Sequence, residues 1–129
     1  MDKIYDGTIL IVEDENVFRM IYRGVLENAG FEVIEAENGR KGWEAIRTRK
    51  PDLVLLDLIL PEMSGYEVLE KIRQDPETKE IPVIVFSVMG ADENIQKALQ
   101  LGANFFKIKG ASSPSEILEQ IDKILSRNQ

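Results

Sequence analysis

The 129-residue sequence has no cysteine and no histidine. Without cysteine there are no disulfides, thiolate zinc sites or thiol nucleophiles. Without histidine there are no Ser-His or Cys-His dyads, imidazole metal sites or phosphohistidine chemistry. Reactive groups must therefore come from carboxylates, hydroxyls and amines. Basic residues are the minority, with 16 Lys+Arg against 23 Asp+Glu and a net charge of −7. A polyanion is repelled on average by such a chain and no basic face stands out, so direct nucleic-acid binding is not expected. Long apolar runs are also missing. The longest cover residues 8–12, 53–60 (broken by Asp57) and 81–88 (broken by Pro82 and Ser87), well short of the ~20 residues that span a bilayer. The opening MDKIYDG carries an acid at position 2 and no apolar stretch, unlike a secretory signal. A cytoplasmic protein without membrane contact is the expectation. With 43% apolar and 30% charged residues, the composition is that of one ordinary globular domain.

Five short apolar runs alternate with amphipathic stretches. Strands are predicted at residues 8–12, 31–35, 53–57, 83–87 and 105–108. The first helical pattern places Phe18, Ile21, Tyr22 and Val25 on one face and stops at Gly30. A second runs over 39–49, with Asn38 as cap and Trp43 and Ile46 inward. A third opens on the capping box Ser64/Glu67 and buries Val68, Leu69 and Ile72. A fourth carries Ile95, Ala98 and Leu99 and ends near Gly102. The last opens on Ser113 and Glu116, with Pro114 at the first helical position, and presents Ile117, Leu118, Ile121, Ile124 and Leu125. Strict βα alternation predicts an α/β fold with a parallel sheet covered on both faces. The first, third and fourth strands are apolar without alternation, as doubly covered strands are. The second and fifth carry charges and suit edges. The result is a flavodoxin-like (βα)5 sandwich of strand order 2-1-3-4-5, with its switch point between strands one and three.

In this sheet the carboxyl ends of the strands line the ligand crevice. Strand one ends in Glu13, Asp14 and Glu15, strand three in Asp57, strand four in Ser87, and strand five runs into Lys107 and Lys109. Each has an ordinary explanation when taken alone. Asp57 can be satisfied by loop amides, and acids at 13 and 14 favour a helix N-terminus. Ser87 can be a plain strand-end hydroxyl, and Lys109 a solvated lysine. Together, three carboxylates converging without imidazole or thiolate make an oxygen-only site suited to Mg²⁺ or Mn²⁺. A lysine and a hydroxyl opposite are what a phosphoryl group on Asp57 needs. A carboxylate can attack phosphorus to form an acyl phosphate, with a metal screening the incoming charge.

At this point the residues resemble a family, the receiver domain of two-component response regulators, or CheY-like domain. The matching segments are VED at 12–14, LVLLDLILPEMSG at 53–65, VIVFS at 83–87 and GANFFKIK at 102–109. Together they are highly specific, including the D-x-x-x-P-x-M-x-G spacing from Asp57 to Gly65. The resemblance covers essentially the whole chain, read as a receiver domain over residues 1–129 with no output domain visible. It implies that Asp57 accepts the phosphoryl group and that Glu13, Asp14, Asp57 and the backbone carbonyl of Ile59 hold Mg²⁺ or Mn²⁺. It also implies that Ser87 is the switch hydroxyl, Lys109 pairs with the phosphate, and Phe106 is the aromatic switch residue. From the residues alone, Phe106 reads as core packing. The donor must be external, because the chain lacks both histidine and a GxxxxGK loop. A histidine kinase or histidine phosphotransfer protein is the implied partner. An unidentified protein would receive the output, and the chain would be a monomer or weak dimer. Such a protein is not an enzyme beyond catalysing its own phosphorylation and dephosphorylation.

Four positions depart from the family pattern. Gly110 follows Lys109 where proline, often through a cis bond, is usual. A cis peptide before glycine costs about 2.5–4 kcal/mol, so a trans bond is expected, and Lys107 stands as a substitute for Lys109. Val88 replaces a common alanine at the phosphate mouth. Ile59 and Met89 are apolar where polar groups are frequent, and are expected to hinder the hydrolytic water and lengthen the phosphorylated state. Three other readings compete. A phosphohydrolase of the haloacid dehalogenase type needs an acid at position 59, which is isoleucine. An FMN carrier needs a phosphate-binding loop where Glu13, Asp14 and Glu15 stand. A phosphorylation-independent scaffold would not need the intact acidic set.

Overall fold

The computed structural model describes residues 5–88, 90–111 and 113–127. Residues 1–4 and Met89, which entered the leader and phosphate-mouth readings, lie outside them. The elements are β1 (Thr8–Val12), α1 (Asn16–Asn28), β2 (Glu32–Ala36), α2 (Gly39–Arg49), β3 (Leu53–Leu56), α3 (Gly65–Gln74), β4 (Val83–Ser87), α4 (Asp92–Gln100), β5 (Phe105–Ile108) and α5 (Pro114–Arg127). Every strand pairing is parallel, and the order is β2-β1-β3-β4-β5, as expected.

The side-chain alternation of each central strand supplies two cores. Leu10, Val12, Val54, Leu56, Val83 and Val85 meet Ile46 of α2, Val68, Leu69 and Ile72 of α3, and Ala98 of α4. Ile9, Ile11, Leu53, Leu55, Ile84 and Phe86 meet Tyr22 and Leu26 of α1 and Ile117, Ile121 and Ile124 of α5. Strands buried on both faces must be apolar throughout, which is why β1, β3 and β4 show no alternation.

Helix starts follow local chemistry. The Asn38 side chain accepts from the Lys41 N–H at 2.8 Å, and Ser64 Oγ accepts from the Glu67 N–H at 3.3 Å. Ser113 Oγ does the same for Glu116 at 3.3 Å. Behind the sheet, the Arg73 guanidinium donates to the carbonyls of Gly102 (2.8 and 3.0 Å), Lys79 (2.9 Å) and Ile81 (2.7 Å), and to Asn104 Oδ1 (3.0 Å). It ties the turn after α3 to the turn after α4.

Three sequence expectations are corrected. The second strand begins at Glu32, which pairs with Thr8. Phe31 precedes it and stacks on Tyr5 with ring centroids 5.2 Å apart. β3 ends at Leu56, so Asp57 stands just beyond the strand, although its N–H still donates to the Val12 carbonyl at 3.1 Å. On α1 the inward stripe is Phe18, Tyr22, Val25 and Leu26. Ile21 is exposed together with Val17 and Met20, because a helix lying on one sheet face buries only the arc it turns toward that sheet.

Candidate functional site

Topology brings the acids together. β1 and β3 are neighbours with Val12 opposite Leu56, so the residues that follow, Glu13 and Asp57, leave the sheet side by side. Glu13, Asp14 and Asp57 each offer an oxygen, and the three oxygens lie within 4.8 Å of one another. Glu13 is fully buried and Asp57 nearly so, whereas Asp14 is exposed and opens the cluster to solvent.

Lys109 closes the opposite side. Its ammonium lies 2.9 Å from Asp57 Oδ2 and 3.2 Å from Glu15 Oε1, and it pairs with Glu13 Oε1. Lys109 therefore reaches Asp57 although a glycine follows it. The peptide bonds of the described residues are trans, including the one before Gly110. Burial pushes the Glu13 carboxyl up to about 8, with the Lys109 ammonium opposing and the neighbouring Asp57 reinforcing. Burial draws the Lys109 ammonium down, but Glu13 and Asp57 outweigh it and hold the ammonium above its ordinary range.

The loop after Asp57 is held tightly. The Ile59 N–H donates to Asp57 Oδ1 at 3.2 Å, and the Gly65 N–H donates to the Leu58 carbonyl at 3.0 Å. The Ile59 side chain is half exposed, and Val88 is also exposed at the rim. Ser87 is buried at the end of β4 and lies opposite Ile108. Phe106 lies opposite Val85, two residues earlier on β4, so Ser87 and Phe106 share one sheet face. Phe106 is half-buried against the core on that face.

Sequence reasoning did not place the surroundings of Lys109. The Phe18 ring lies 4.6 Å from Lys109 Nζ, and the Phe86 ring 5.6 Å. Arg19 donates to the Glu13 carbonyl at 2.6 Å and to Glu35 Oε1 at 3.2 Å, bracing the turn that carries the acids. Periodicity marks Phe18 as inward-facing and nothing more. The residue it meets is 91 positions away. A groove of about 450 Å³, whose lining mixes Asp6, Asp52, Glu77 and Glu80 with prolines and Leu125, opens at the opposite, amino-terminal end of the sheet and includes none of the acidic cluster.

The acidic cluster fits a hard dication. Its donors are carboxylate oxygens, and Glu13 Oε2 is buried without a hydrogen-bond partner among the described residues. A buried carboxyl oxygen in that condition is costly to ionise unless a cation approaches it.

The chain is similar to known proteins in sequence and in fold. The family model described as the response regulator receiver domain matches residues 9–122. The phosphate regulon transcriptional regulatory protein PhoB of Pseudomonas aeruginosa is 39% identical over 120 residues, covering 93% of this chain and 52% of PhoB. The chemotaxis protein CheY of Thermotoga maritima is 36% identical over 118 residues, covering 90% of this chain and 95% of CheY. This chain thus spans about half the length of PhoB and nearly all of CheY. Among solved structures, a putative response regulator from Chloroflexus aurantiacus superposes with a TM-score of 0.88 at 30% identity, covering 95% of this chain and 99% of that one. The Mn²⁺-bound form of response regulator Rcp1 superposes at 0.76 with 27% identity, covering 92% and 88% of the two chains. With the family model, the relatives and the fold in agreement, the chain belongs to the response regulator receiver domain family.

Proposed function

We propose that this chain is a phosphorylation-dependent signalling switch in which Asp57 accepts a phosphoryl group from a histidine kinase or a histidine phosphotransfer protein. The observation that carries this reading is the 2.9 Å contact between Asp57 Oδ2 and Lys109 Nζ inside the three-carboxylate cluster. Glu13, Asp14, Asp57 and the Ile59 carbonyl would hold Mg²⁺ or Mn²⁺, the latter being the ion in the Rcp1 structure. When bound, the dication neutralises negative charge on the acids and on the incoming phosphoryl oxygens.

An Asp57 oxygen attacks phosphorus, the P–N bond to the donor histidine breaks, and its electron pair leaves with the imidazole. Lys109 meets a phosphoryl oxygen with its ammonium, a compact charge on a flexible stem. Ser87 donates a hydrogen bond to another phosphoryl oxygen. Phe106, on the same sheet face as Ser87, moves as that hydroxyl is drawn toward the phosphate, and the surface formed by α4, β5 and α5 changes with it. Output passes through protein contact at that surface. The chain acts as a regulator whose own chemistry extends no further than its phosphorylation and dephosphorylation.

Incubation with Mg²⁺ and acetyl phosphate should add the mass of one phosphoryl group. The gain should vanish in Asp57→Ala and when Mg²⁺ is chelated. A gain that survives Asp57→Ala overturns the assignment. Beryllofluoride should perturb the amide spectrum of the wild type and leave that of Asp57→Ala unchanged.

A further inference from the structure

The Ala111 N–H donates to the Ile108 carbonyl at 3.1 Å, closing the turn that carries Lys109. The Lys109 N–H donates to the Ser87 carbonyl at 2.9 Å. The next residue, Gly110, has φ +84 and open space where a Cβ would stand, and Gly110 and Ala111 are both exposed. A lysine beside so exposed a turn would normally extend into water. The Lys109 side chain is instead only 7% exposed.

Carboxylates form one side of its surroundings, and two of the three are buried. The other side is aromatic. The Phe18 and Phe86 rings are stacked at 5.0 Å and 8°, and Phe18 also stacks on Tyr22 at 4.5 Å. The ammonium lies nearest Phe18, whose π face attracts a cation more strongly where water is excluded.

We propose that Phe18 is a positioning residue for Lys109, its ring face holding the ammonium over Asp57 and screening it from water. This rests on the reading of Asp57 and Lys109 as the phosphoacceptor and its phosphate-binding partner. α1 thereby constrains the Lys109 side chain, where the backbone hydrogen bonds fix only its main chain.

Phe18→Leu keeps most of the apolar volume and removes the π face, and Phe18→Trp restores a π face. With acetyl phosphate and Mg²⁺, Phe18→Leu should slow Asp57 phosphorylation by roughly three- to thirty-fold. Phe18→Trp should recover most of that loss. In a Lys109→Ala background, Phe18→Leu should have no further effect, since the group it positions is gone. Equal slowing in both backgrounds makes Phe18 merely structural and overturns the proposal, as does no slowing in the wild-type background. A second measurement needs no variant at position 18. Ring current from Phe18 should shift the Lys109 ε-methylene protons upfield in wild-type protein, assigned by their loss in Lys109→Ala, and an unshifted resonance overturns the proposal even if Phe18→Leu does not fold. Failure of the underlying reading looks different, since Lys109→Ala would then be phosphorylated at the wild-type rate.

Discussion

A Cβ at position 65 would stand 2.1 Å from the carbonyl oxygen of Asp57 and 2.6 Å from the Leu58 Cα. Gly65 is thus packed directly against the backbone of the proposed phosphoacceptor, and both obstructing atoms belong to main chain that cannot swing aside. Gly65→Ala should therefore displace the 57–65 loop, with a stability loss of about 1–3 kcal/mol or more in urea denaturation. Mg²⁺ affinity measured by calorimetry should fall with it. Wild-type stability in this variant would contradict the close approach.

Lys109→Ala leaves Glu13 and Asp57 buried without the cation that faces them. Breaking a buried ion pair costs about 3–5 kcal/mol when one charge remains uncompensated. Metal-free Lys109→Ala should accordingly lose stability toward that range. Saturating Mg²⁺ should restore more stability to the variant than it adds to the wild type, because a dication at the proposed site would meet the same carboxylates. Equal Mg²⁺ stabilisation of the two proteins would argue against a shared site.

Glu13 gives the metal-free protein a pH signature. Its folded carboxyl is pushed up to about 8 by burial, from an ordinary value of 4.5. Between those values the folded state holds a proton that the unfolded state has released. Stability from this group is therefore present at the acidic end and declines as pH rises through the window, with a slope of at most about 1.4 kcal/mol per unit. Chemical denaturation at several pH values in chelator should show the decline, and Glu13→Gln should flatten it. A slope unchanged by Glu13→Gln would assign the effect to other groups.

Arg73 offers a control remote from the acids. Arg73→Ala leaves the partly buried carbonyls of Ile81 and Gly102 without their guanidinium donor, where a fully buried unsatisfied acceptor would cost about 1–3 kcal/mol. The melting temperature should drop while Mg²⁺ affinity holds at the wild-type value. A parallel loss of metal affinity would show that the turn between α4 and β5 reaches the site.

Ile59 stands beside Asp57, its N–H on Asp57 Oδ1 and its side chain half exposed. If Asp57 carries a phosphoryl group as proposed, an apolar side chain at this position should hinder the approach of water to it. Dephosphorylation followed after donor removal should be faster in Ile59→Asn, and faster again in the Ile59→Asn, Met89→Glu double variant. An unchanged rate in the double variant would remove these two residues from control of the lifetime.

Much of the fold is legible along the chain because short-range chemistry encodes it. Asn38, Ser64 and Ser113 begin their helices as their side chains dictate, and the uninterrupted apolar runs of β1, β3 and β4 mark strands covered on both faces. The start of β2 was displaced by one residue because register with β1, a long-range property, decides it. Ile21 was misplaced because periodicity shows that a helix has an inner arc without fixing its width.

The acidic set at 13, 14 and 57 was readable as well, since strand ends adjoining a switch point must converge. Local sequence thus determined the elements, the strand order and the chemical character of the crevice. Tertiary structure alone decided that Lys109 reaches across to Asp57, that Phe18 and Phe86 wall it in, and that Glu13 is buried deeply enough to hold a proton near neutrality. Those outcomes depend on distances between residues tens of positions apart, and on water being excluded when α1, β4 and β5 close around one ammonium.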